Sequence, residues 1–174
     1  MTGPDQIAEV FGIFHDGTIT AGLKPGSPHE LVVEIEYLAE RISEDFERFT
    51  IRLNGLEAAR FLPWVDEDSA AASVITDFSE ILGMDLEILS AAVRDATVIV
   101  TCNQSMPRYG YSGGFLEITA DGCQVFDEAG LERSLEELRK LADDYWSDWQ
   151  ARKTQAQQAG AANRDNAGDC SQDL

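Results

Sequence analysis

From about residue 10 to residue 127 the chain is a succession of short apolar runs, rich in β-branched and aromatic residues and bounded by Gly, Pro, Asp or Asn. That punctuation predicts strands joined by turns. Three dipeptides of the hairpin type, Asp16-Gly17, Asn54-Gly55 and Asp121-Gly122, lie between such runs, and each predicts a two-residue hairpin. Pairing across the first sets Phe14 opposite Ile19, Gly12 opposite Ala21 and Val10 opposite Leu23, with His15 opposite Thr18. The second sets Leu53 opposite Leu56, Ile51 opposite Ala58 and Arg52 opposite Glu57. The third sets Ala120, Ile118 and Leu116 opposite Cys123, Val125 and Asp127.

Between these turns Leu31, Val33, Ile35 and Tyr37 alternate with Val32, Glu34 and Glu36, the period of a half-buried strand. The run "DATVIVTCN" reads as a further strand. "DLEILSAAV" fits neither period cleanly and is read as a strand, with a helix as the alternative. "TDFSEIL" predicts a short helix capped by Thr76.

After Ser134 the period changes to that of a helix. Leu135, Leu138, Ala142, Tyr145 and Trp149 form one apolar stripe, which Leu141 and Trp146 widen, and Ser134 with Glu137 makes a capping box at its start. The stripe predicts a helix from Leu135 to about Trp149. Residues 153–174 lack apolar anchors and are expected to be a disordered or frayed polar tail. The fold class expected is α+β: an antiparallel sheet of six to eight strands in a meander, packed by a C-terminal amphipathic helix. Residues 1–152 form a single acidic domain in this reading.

Charge sharpens the picture. The chain carries 32 acidic and 13 basic residues, a formal net charge of −19. The three basic and three acidic residues from 151 onward cancel, so residues 1–150 hold 29 acidic against 10 basic, which is the whole excess. Such a field disfavours nucleic acid and anionic membranes and attracts basic proteins. The start "MTGPDQIAEV" has neither the basic residues nor the apolar run of a signal peptide, and no stretch is apolar enough to span a membrane; a cytoplasmic location is expected. Three cysteines, Cys102, Cys123 and Cys170, lack metal-site spacing and are expected to be reduced thiols.

Candidate chemistry is sparse. His15 beside Asp16 suggests a general base oriented by a carboxylate, or part of a metal site. On an extended strand, however, neighbours point to opposite faces, so the pair is expected to serve the fold. His29 stands alone before a strand. The acidic runs Asp66-Glu67-Asp68, Asp127-Glu128 and Asp143-Asp144 lack the spacing of a calcium loop. The loop "NQSMPRYGYSGG" lacks the glycine-lysine pattern of a phosphate cradle but supplies Arg108, Tyr109 and Tyr111, residue types that anchor protein interfaces. No catalytic set, metal site or cofactor is assigned. The partner-binding residues expected are Asp66, Glu67, Asp68, Arg108, Tyr109, Tyr111, Asp127 and Glu128.

The early "FHDG", the antiparallel meander and the closing "SLEELRKLADDYWSDW" helix resemble small bacterial immunity proteins of polymorphic toxin and contact-dependent systems. The resemblance covers the general layout from Phe11 to Trp149, on one short shared motif. It implies a non-catalytic cytoplasmic inhibitor that binds a cognate toxin, and a basic nuclease suits the charge best. The alternatives are an acidic scaffold or adaptor without a toxin partner, and a small enzyme using His15.

Overall fold

The computed structural model describes residues 1–21, 29–64, 73–104 and 112–167, with side chains to residue 157. Its first element is a helix, α1 (Gly3–Ile13), where the first predicted hairpin would put a strand. Ile7, Val10, Phe11 and Phe14 recur at helical spacing and are all fully buried, and Pro4 opens the first turn where its missing N–H costs nothing. Val10, Gly12 and Phe14 therefore never pair with a following strand. Asp16-Gly17 instead links α1 to β1 (Thr18–Ala21), with Asp16 at φ +68°. Glycine is needed at position 17 for space: a Cβ there would lie 2.6 Å from Val33 Cγ1 and 2.9 Å from the Phe14 carbonyl oxygen.

The chain continues through β2 (Glu30–Glu34), a short helix α2 (Glu36–Ala39), β3 (Arg48–Asn54) and β4 (Ala58–Pro63). The predicted alternation from Leu31 to Tyr37 thus ends at Glu34, and Tyr37 is helical. Next come α3 (Phe78–Leu82), β5 (Leu86–Arg94), β6 (Thr97–Gln104), β7 (Gly113–Thr119), β8 (Gly122–Phe126), β9 (Glu132–Arg133) and α4 (Leu135–Ala167). The cap of α3 is Asp77, whose carboxylate accepts the Glu80 N–H at 3.0 Å; Thr76 lies one residue outside. The ambiguous "DLEILSAAV" run is the strand β5.

The fold is α+β, and the described residues form nine antiparallel strands in one sheet in the order β4-β7-β6-β5-β1-β2-β3-β8-β9. Two meanders, β1-β2-β3 and β5-β6-β7, account for most of it. Neither of the other predicted hairpins forms. β3 pairs with β2 and β8, and β4 pairs with β7, so Arg52 faces Glu30 across the ladder and not Glu57. β7 and β8 likewise run on from one another without pairing.

Asn54-Gly55 and Asp121-Gly122 are the two sides of a corner. The ladder β3/β8 continues into β4/β7 through the Asp121 N–H to Asn54 carbonyl bond and the Glu57 N–H to Thr119 carbonyl bond, both 2.9 Å. Two long strands therefore bend together, and because β5 also pairs with β1, the sheet curls round until its neighbours form a ring. Glycine at 122 admits the N-terminal segment: Thr2 bridges to it, and a Cβ there would lie 2.3 Å from the Met1 carbonyl oxygen. The true two-residue hairpin is β5-β6, whose turn residues Asp95 and Ala96 both have positive φ, 48° and 64°.

The apolar side of the curled sheet is covered by α1. α1 packs on β5, β6 and β8, and its terminal Phe14 stacks on Phe49 of β3 with ring centroids 5.0 Å apart. Val98, Val100 and Cys102 of β6, Leu116 and Ile118 of β7 and Val125 of β8 complete the same buried cluster.

α4 begins where the capping box places it. The Ser134 hydroxyl accepts the Glu137 N–H at 3.2 Å, and the Glu137 carboxylate accepts the Ser134 N–H at 2.7 Å. Leu135 and Leu138 are buried, and Leu141, Ala142 and Tyr145 pack against the core edge. The helix extends to Ala167, well beyond the expected end near Trp149. Ala and Gln have good helix propensity, so a helix already nucleated and packed can propagate through them without apolar anchors.

Leu138 is 1% exposed beneath α4. Leu138→Asp should lower stability by on the order of 4 kcal/mol through lost burial and a buried unpaired charge. Urea unfolding measures it, and an unchanged midpoint would contradict the packing of α4.

Candidate functional site

Past Leu141 the helix α4 emerges from the body, and its aromatic residues lose their cover. Tyr145 still rests on Tyr37 of α2, with centroids 4.2 Å apart. Trp146 and Trp149 are each 41% exposed, although both are large apolar side chains. The rings form a chain of contacts: Tyr37 to Trp146 at 6.2 Å, Tyr145 to Trp146 at 5.1 Å and Trp146 to Trp149 at 5.8 Å, all edge to face.

Cations dress this cluster from both sides. Arg41 stands over the Tyr145 ring at 5.6 Å while donating to Asp148 at 2.6 Å, and Lys153 stands over Trp149 at 4.8 Å. The Tyr37 hydroxyl donates to the His15 carbonyl at 2.6 Å, which ties α2 to the end of α1. Burial, then the nearby Asp16 charge and Tyr145, push the Tyr37 hydroxyl up to about 12, so it stays protonated at neutral pH.

His15 and Asp16 do come together. His15 Nδ1 lies 3.0 Å from Asp16 Oδ1, with both side chains about half exposed. The expectation that neighbours diverge assumed an extended strand, and the segment is a helix end with a positive-φ residue. The pair faces solvent. Among the described residues, no three His, Cys, Asp or Glu side chains cluster as metal ligands would.

Of the predicted partner-binding residues, Asp66, Glu67, Asp68, Arg108, Tyr109 and Tyr111 lie outside the described residues. The strand ends that flank them are adjacent: Trp64 N–H donates to the Gly113 carbonyl and Gln104 N–H to the Ser112 carbonyl, both at 2.8 Å. The end of β4, the end of β6 and the start of β7 therefore lie together. Trp64 and Phe115 meet edge to face there at 6.0 Å, and Phe115 is 40% exposed.

Asp127 and Glu128 are engaged within the chain. The Asp127 side chain is wholly buried and accepts from the Leu131 N–H at 2.9 Å and from Arg133 at 2.9 and 2.5 Å, closing the turn between β8 and β9. Glu128 accepts the Glu47 and Arg48 N–H groups at 2.6 and 3.1 Å and the Arg48 Nε at 3.3 Å. Asp127 is held by its own turn, whereas Glu128 is taken by backbone 81 and 80 residues away, which a charge pair in a sequence does not reveal.

Sequence reasoning missed the exposed Trp146–Trp149 cluster because it counted both as parts of a buried stripe. The available signal was length: five apolar positions on one helix face cover about 20 Å at 1.5 Å per residue, more than the edge of a small sheet offers. The two described thiols are poor nucleophiles, since burial pushes Cys102 up to about 12 and Cys123 up to about 11, the latter against the opposing N-terminal ammonium.

No family model, no curated protein and no solved structure matches the chain. No described helix is long and apolar enough to cross a membrane.

Glu128 provides a pH test. Burial alone would raise its carboxyl, but the Glu47 and Arg48 N–H groups and the Arg48 guanidinium outweigh it and hold it below the ordinary carboxylate value of 4.5. A depressed folded-state value means that the contribution is present above 4.5 and lost as pH falls through the lower value. Glu128→Ala should therefore cost about 1 kcal/mol near neutral pH, with the difference from the parent shrinking below pH 4.5, as urea titrations at several pH values would read.

Proposed function

We propose that this protein is a non-catalytic binding protein that neutralises a partner with a basic surface, in the manner of an immunity protein. A cytoplasmic nuclease-type toxin domain is the partner class its charge suits best. The observation that carries the reading is how the basic side chains are used. Residues 1–150 contain ten of them, and Arg41, Arg48, Arg52, Arg60, Arg133, Arg139 and Lys140 are all engaged in ion pairs within the chain.

With most cations tied down, the surplus of 19 carboxylates forms the outward field. Such a field speeds encounter with a cationic protein over the screening length of roughly 8 to 10 Å at physiological salt. It also mimics the charge that a phosphate-binding site is built to receive. Exposed Trp146 and Trp149, held in mutual contact, are residue types that supply short-range anchoring once the encounter has formed.

The test is capture of the partner from host extract, its identification, and surface plasmon resonance of the purified pair at low and high salt. The expected partner is basic, loses its activity at equimolar binding, and associates more slowly as salt rises. Trp146→Ala and Trp149→Ala should mainly raise the dissociation rate. A tight partner that ignores salt, or one that contacts through an acidic surface, would overturn the electrostatic reading. Turnover of a small substrate by the protein alone would overturn the non-catalytic one.

A further inference from the structure

A groove of about 350 Å³ opens beside the aromatic cluster, between α1, β5 and α4. Its side chains are mostly apolar, Ala8 and Ile13 from α1, Ala91 from β5, and Ala142 and Trp146 from α4, with Gly12 and Glu9 of α1 completing the lining. Val93 stands two residues beyond Ala91, on the same face of β5 and 36% exposed, so the apolar surface runs on past the groove. The floor is open because the residues there are small. A Cβ added at Gly12 would meet no atom within 4 Å.

The charges along the two helices of the groove are one-sided. On α1, Asp5 lies on the same helix face as Glu9, and this helix carries no basic residue. On α4, Glu136 and Asp143 flank Arg139, the cation that bridges to Glu9, with its Nη2 2.8 Å from Glu9 Oε2. Two carboxylates, Glu9 and Glu136, thus act on one guanidinium, which leaves one net negative charge (2 − 1) at this edge of the groove. A second copy of this chain, itself at −19, is a poor occupant for such a site.

We propose that this groove receives a bulky apolar side chain from a basic segment of the partner protein. The anchor fills the space over Gly12 against Trp146, and flanking lysines or arginines meet the rim carboxylates. The volume is at the lower end of what built binding pockets hold, which suits one or two side chains and not a whole helix. The inference rests on the cationic partner proposed above and adds where that partner's anchor sits.

The probe is a blocked basic hexapeptide in which lysines flank a leucine and a tryptophan, with a control of equal charge in which both apolar residues are glycine. Binding is followed by amide and indole chemical shifts of the intact protein. The anchored peptide should shift Gly12, Ala91, Ala142 and the Trp146 indole, whereas the control should give only diffuse, salt-sensitive shifts. Gly12→Leu, which fills the groove, and Trp146→Ala, which removes its wall, should each weaken the anchored peptide about tenfold without lowering the melting temperature.

Equal shifts from both peptides, or binding indifferent to Gly12→Leu and Trp146→Ala, would overturn the groove. Anchor-dependent binding centred elsewhere, such as at Trp64 and Phe115, would overturn this site while leaving the cationic-partner reading intact. Failure of both cationic peptides to bind even at low salt would count against that reading as well as the groove.

Discussion

The stack of Phe14 on Phe49 is the contact on which the rest of the architecture depends. A sheet that curls through such a corner has an apolar side that must be covered, and here the cover is helix α1, delivered by the first residues of the chain. Ile7, Val10, Phe11 and Phe14 project from one face of that helix and are each fully buried. Fully burying such a side chain is worth roughly 1.5 to 3 kcal/mol before conformational entropy is counted. The strands can therefore bend through their shared corner without leaving a void, and Gly17, just after α1, allows the close approach of the Phe14 carbonyl and of Val33 in β2.

Charge is divided between inside and outside by the same packing. Asp127 reaches into the turn before β9 and holds Arg133, Glu128 reaches back to the start of β3, and Arg52 pairs with Glu30 across the β2-β3 ladder. Pairs at the surface contribute little to stability one by one. Their larger effect is on the field, because each engaged cation leaves the unmatched carboxylates to dominate what an approaching molecule meets. The net charge remains that of the residue count, and the pairs fix which carboxylates are left unmatched at the surface.

The length of α4 links fold to surface. Its first turns are part of the core, with Leu138 beneath them, and its later turns carry Tyr145, Trp146 and Trp149 along the edge of the body. The one amphipathic stripe thus has two roles along its length. Where neighbours exist it packs, and where they end it presents aromatic rings beside a groove that the small residues of α1 and β5 leave open.

By itself the sequence determined the α+β class, the strands β5 and β6, the onset of α4 at Ser134 and the acidity of the body. These rest on local propensity, a capping box within four residues, and composition, all of which are present in the chain before it folds. It could not determine which strands pair. Asp16-Gly17, Asn54-Gly55 and Asp121-Gly122 each carry the local signature of a reversal, yet one links a helix to a strand and the other two form a corner. A glycine tolerates close approach or positive φ whichever purpose requires it. Tertiary structure also decided which side chains are available to a partner. Glu128 reads as free surface charge but is engaged by Glu47 and Arg48 at the start of β3, and Asp127 is buried within its own turn against Leu131 and Arg133, while Trp146 and Trp149 read as core but lie where the core ends. Availability depends on where the core ends and, for Glu128, on neighbours remote in sequence that only the folded sheet supplies.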